Sequence, residues 1–147
     1  IFTERIVERA RTEQRGVRRL SALLRNALDY SRDRVFTGGC FFAATAADVD
    51  SKPGPVRDAV RAALVDWYGY IEAQTRYAIS ASELVEGTDP ELLAFELAAL
   101  NEAANSRSLL LQDARPYELA ARAMHERLHS AGAAADLLTG LVAEPVR

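Results

Sequence analysis

The stretch Val17-Arg18-Arg19-Leu20-Ser21-Ala22-Leu23-Leu24-Arg25-Asn26-Ala27-Leu28 decides the fold. Its apolar residues, Val17, Leu20, Leu23, Leu24, Ala27 and Leu28, recur three and four apart, with arginines on the opposite side. Side chains at that spacing share one face of an α-helix, so the stretch predicts an amphipathic helix with one buried stripe. A break near Gln14–Gly16 starts it, Val35 can prolong the stripe, and Gly38-Gly39 ends it, because glycine takes the left-handed cap without a Cβ clash.

The same period extends in both directions. Residues 1–12 read as the end of a preceding helix, with Phe2, Ile6 and Val7 on one side. Residues 40–48 predict a short buried helix, Cys40, Phe41 and Phe42 followed by alanines. Asp50-Ser51-Lys52-Pro53-Gly54-Pro55 is a turn and helix start, with Asp50 or Ser51 as cap and proline tolerated in the first turn. A long helix over 55–82 follows, its stripe formed by Val56, Val60, Ala63, Leu64, Trp67, Ile71 and Ala78. Gly87-Thr88-Asp89-Pro90 stops it and caps a helix over 91–112, apolar around its circumference and so buried on more than one side. Asp113–Pro116 breaks the chain before a last helix over 117–130, which Gly132 ends. Strand alternation is nearly absent. The expected fold is therefore all-α, a bundle of about six helices. Residues 13–132 form its body, 1–12 the end of a connecting helix, and 133–147 a C-terminal tail, loose after Gly140.

Composition fits one soluble domain. At 147 residues, 49% hydrophobic and 27% charged, the chain can bury on the order of two-thirds of its unfolded surface. No apolar run approaches the ~18 residues that cross a bilayer, so no membrane partner is expected. The single cysteine, Cys40, makes no internal disulfide, which fits a reducing, cytoplasmic setting. It has no basic neighbour closer than Arg34, so a packing role outweighs a redox one. The net charge of −3 argues against this chain gripping nucleic acid alone. The charge is uneven: residues 1–35 hold nine arginines and five acids, residues 83–147 five arginines and eleven acids.

The segment Phe36-Thr37-Gly38-Gly39-Cys40-Phe41-Phe42-Ala43, followed by Asp50-Ser51-Lys52-Pro53-Gly54-Pro55-Val56-Arg57, resembles the C-terminal domain of TetR-family transcriptional regulators. There a Gly-Gly-Cys before a short helix and a Pro-Gly-Pro-Val-Arg at the next helix start recur together. The resemblance covers essentially the whole chain, apart from the family's N-terminal helix-turn-helix, and the start at Ile1 rather than Met points to a missing upstream segment. It implies a homodimeric repressor-type regulator, without cofactor, in which a small apolar effector enters a cavity and shifts the connecting helix. DNA would be read only through the N-terminal domain.

The candidate cavity combines Trp67, Tyr70, Ile71, Gln74 and Tyr77, along one side of the long helix, with Asn101 and Asn105, one turn apart on the next. Phe42 joins them from the short helix. Buried amides need partners, and two beside an aromatic wall suit a mainly apolar ligand with one or two polar groups. The competing reading makes the aromatics plain core. The candidate dimer face is Leu97, Leu100, Ala104, Leu111, Ala120, Ala121, Met124 and Leu128, on two helices expected to pack antiparallel and to meet their counterparts as a four-helix bundle. Its competitor is an intramolecular core, and a ligand-free structural dimerisation module is the alternative function.

His125-Glu126-Arg127-Leu128-His129 also matches the H-E-x-x-H pattern of zinc peptidases. That chemistry needs a third ligand. The downstream histidine position is Ala135, Asp136 is one residue off, and Glu144 lies on the tail. The histidines instead suit the C-terminal end of a helix dipole, so neither metal nor catalysis is expected. Gly38-Gly39 lacks a phosphate-loop pattern, and neither histidine accompanies a nucleophile motif.

Overall fold

A computed structural model of the chain describes residues 3–33 and 52–142. The predicted short helix over 40–48, with Cys40 and Phe42, lies outside these residues, as do Phe2, Val35, Asp50, Ser51 and Glu144. The described residues are all-α, with no strand among them.

Helix α1, Val17–Arg32, follows the predicted stripe: Val17, Leu20, Leu23, Leu24, Ala27 and Leu28 are all buried. It is the central element, in contact with every other one. Helix α2, Pro55–Ser80, starts behind Gly54, with no side-chain cap. Proline at its first position loses no helical bond, since that N–H would have had no partner. Helix α3, Pro90–Leu111, is capped by Asp89, whose carboxylate accepts from Glu91 N at 3.0 Å and Leu92 N at 3.2 Å. It stops at Gln112, which takes a left-handed conformation. Helix α4, Arg115–Ser130, returns antiparallel to α3 after a turn of three residues, and Arg127 Nε meets Glu96 Oε2 at 2.6 Å between them.

The ends differ from the sequence expectation in three places. Helix α4 starts two residues early, at Arg115, because Pro116 fits the first turn and Asp113 Oδ1 accepts from Arg115 N at 3.0 Å. The N-terminal segment is a π-helix over Thr3–Glu8, its buried side formed by Ile6 and Val7. The C-terminal tail begins with a short helix that the sequence reading did not place. Ala135–Leu141 form a 3₁₀-helix against α1 and α4, with Leu138 and Leu141 buried. Ser21 Oγ donates to Leu137 O at 3.3 Å and Arg25 Nε to Gly140 O at 2.8 Å. A segment of seven residues is too short for helical periodicity to reveal its packing.

The core runs from Ile6 through the α1 stripe to Trp67, Ile71, Leu93, Leu97, Met124, Leu128, Leu138 and Leu141. No helix among the described residues is long and apolar enough to cross a membrane.

Candidate functional site

The predicted cavity residues divide into two groups. Trp67 and Ile71 are buried in the core, Tyr70 packs half-buried against it, and Asn105 is buried on the facing helix α3. Asn101, one turn earlier on α3, is half-buried, and its Oδ1 is enclosed with no hydrogen-bond partner. An unpaired buried acceptor forfeits its hydration, typically about 1–3 kcal/mol, so such an atom is a natural contact for a bound donor. Tyr68 and Glu102 stand together at the rim where α2 and α3 meet. Burial, and next the nearby Glu102 carboxylate, raise the Tyr68 hydroxyl above the ordinary tyrosine value. Desolvation by the surrounding helices raises Glu102 above the usual carboxylate range.

Gln74 and Tyr77 form the second group, which meets the start of α1. About two and three turns beyond Trp67, α2 meets the start of α1. There Gln74 Oε1 accepts from Gly16 N at 3.0 Å, and Glu83 Oε1, just past the end of α2, accepts from Val17 N at 3.0 Å. The two acceptors satisfy orphan donors at the first turn of α1 and place a carboxylate at its positive pole. Arg15 lies over the Tyr77 ring at 4.4 Å, a cation–π contact. The N-terminal segment is tied to α1 in turn: Asn26 Nδ2 donates to Ile6 O at 3.1 Å, and Arg19 reaches the carbonyls of Arg11 and Glu13. One hydrogen-bonded path therefore runs from α2 through Gly16 to the N-terminal segment. Sequence reasoning missed Glu83, and the only available clue was a carboxylate just past a helix end.

The predicted dimer residues also sort differently. Leu97, Ala104, Ala120, Ala121, Met124 and Leu128 are buried within this chain, so they have no surface to offer a partner. Leu100 is half-buried and Leu111 exposed. The outer stripe of α3 is instead Leu92, Phe95, Ala99, Ala103, Ser106 and Leu110, all exposed, with Phe95 at 61% and Leu110 at 81%. Leu119 of α4 is also exposed. The helix is apolar on both sides, as its composition suggested, but sequence reasoning chose the side that faces α1, α2 and α4. Beside the outer stripe, an open cleft of about 840 Å³ runs between α2 and α3, lined by Leu64, Val65, Tyr68, Leu92 and Phe95 with Arg61 at its edge.

The H-E-x-x-H residues form no three-ligand centre. The His125 and His129 rings lie side by side, 6.3 Å between centroids. Glu126 pairs with Arg122 at 3.6 Å and Asp136 with Arg18 at 3.7 Å. No cluster of three metal-capable side chains occurs among the described residues.

The described residues form a helical bundle whose α3 is apolar on two sides and whose N-terminal segment is anchored on α1. The family model of the tetracyclin repressor-like C-terminal domain matches residues 16–124. The chain belongs to that family of tetracyclin repressor-like C-terminal domains. It is similar in structure to a TetR transcriptional regulator from Chloroflexus aurantiacus J-10-FL, known from a crystal structure. The TM-score is 0.74 at 25% identity, over 84% of this chain. This chain spans 64% of the length of that regulator. No curated protein matches it by sequence.

Proposed function

We propose that this chain is the effector-sensing and dimerisation half of a cytoplasmic TetR-type regulator and is not an enzyme. A small, mainly apolar molecule binds beside Trp67, Tyr70 and Ile71, between α2 and α3. Its polar group donates to Asn101 Oδ1, and Asn105 flanks it. The enclosed, unpartnered Asn101 Oδ1 is the observation that carries this reading. A shift of α2 passes through Gln74 and Glu83 to Gly16 and the connecting segment, and so to a DNA-reading head on the N-terminal side. Two copies pair through the outer stripe of α3 and Leu119 of α4.

Trp67 is the only tryptophan, so its fluorescence reports the site directly. The test is a fluorescence and melting screen with small phenols and amides that carry one donor. A ligand at a hundred times its dissociation constant stabilises the fold by about 2.7 kcal/mol. Asn101→Leu should weaken donor-bearing ligands while leaving the fold intact. If every probe leaves both signals unchanged, the sensing reading fails. The chain is then a structural dimerisation module, which the close packing of Trp67 and Ile71 in the core would favour.

A further inference from the structure

We propose that His125 and His129 form a surface site for a late first-row divalent cation such as Zn²⁺ or Ni²⁺. The two imidazoles are one helical turn apart on α4, and their planes differ by only 24°. Two histidines four residues apart on one helix face are a chelating arrangement for zinc, and the helix has already fixed the backbone between them. The second nitrogen of His129 is engaged, since Nδ1 lies 3.0 Å from Ala133 O. In the neutral ring with the proton on Nδ1, that bond leaves the Nε2 lone pair as the free donor to a metal. Histidine ligands are commonly oriented in this way by a backbone carbonyl.

The carbonyl is itself held in place. Ala133 N donates to Leu128 O at 3.1 Å, Gly132 N to His129 O at 3.0 Å, and Val85 N to Ala131 O at 2.9 Å. The turn beyond α4 is thus fixed to the rest of the bundle, and the His129 ring with it.

Among the described residues Glu126 and Asp136 are both paired to arginines, so the two imidazoles are the proposed ligands, with water in the remaining positions. Two neutral nitrogen donors suit zinc, nickel and copper and do not suit magnesium or calcium, which prefer oxygen. The ion is held reversibly and clamps the last turn of α4.

The test is calorimetric titration of the tag-free chain with NiCl2 and ZnCl2, followed by thermal melts with each metal. The expected result is one ion per chain and a raised melting temperature. Affinity should fall at least tenfold in His125→Ala and in His129→Ala, and Glu126→Gln should leave it unchanged. MgCl2 should give neither heat nor shift. His129→Ala gives up the bond to Ala133, so helicity is checked by circular dichroism, and His125→Ala carries the test independently. An isotherm that survives in His125→Ala, or no binding at millimolar nickel, overturns the proposal.

Discussion

Gly16 N donates to Gln74 Oε1 at 3.0 Å, joining the first turn of α1 to the last turns of α2 across 58 residues of chain. Gly16 sits at φ +99°, and a Cβ built there would fall on Glu83 Oε1, the acceptor for Val17 N. Backbone conformation and capping contact thus impose the same requirement for glycine at this position.

Gly16→Ala should therefore destabilise the fold by roughly 1–3 kcal/mol, from a strained left-handed backbone together with a displaced cap. Urea denaturation measures it. Glu83→Ala removes the clash but not the strain, so the double variant should be less destabilised than the sum of the two single ones.

Surface and core leucines should separate by readout. Leu128→Ala leaves a cavity in a fully buried site and should cost about 2–5 kcal/mol in urea. Phe95→Ser and Leu110→Ser lie on the exposed stripe and should leave the isolated chain folded while lowering its light-scattering mass from two chains to one. A mass unchanged in both would remove the outer stripe as the dimer surface.

Asp89→Ala deletes the two bonds that cap α3. The expected loss is about 1 kcal/mol, read as a lower denaturation midpoint with the slope unchanged.

Glu102 gives a pH signature. Its carboxyl is raised in the folded chain, so between its unfolded and folded values the native state binds more protons than the unfolded one. Stability then falls as pH rises through that window, and the deficit persists above it. Glu102→Gln should be more stable than the parent at pH 7, and the gap should close towards pH 4. Denaturation at the two pH values checks the sign.

The helices themselves were legible because their apolar positions repeat. Val17 through Leu28 predicts α1 and its buried face residue by residue. On α3 the same rule fails for a physical reason. Leu and Ala occur on all sides, so no one side stands out as the apolar one. Spacing then cannot say that Leu97 and Ala104 face inward while Phe95 and Leu110 face water. Gln74 and Tyr77 share the face of Trp67, as their spacing requires. What that face meets changes along the helix, from α3 to the start of α1, and a neighbour 58 residues away leaves no local mark. Leu138 and Leu141 escaped notice because their 3₁₀-helix is shorter than two turns of an α-helix would reveal.

That short helix also sets where the chain can be cut. Leu138 and Leu141 are each almost wholly removed from water, and burying a leucine is worth about 1.5–3 kcal/mol. An expression boundary placed at Gly132, where the main helices end, would strip that cover from α1 and leave an apolar trough in solvent. Such a product would tend to precipitate, whereas a tag fused after Val142 extends from an exposed residue and leaves the seal in place.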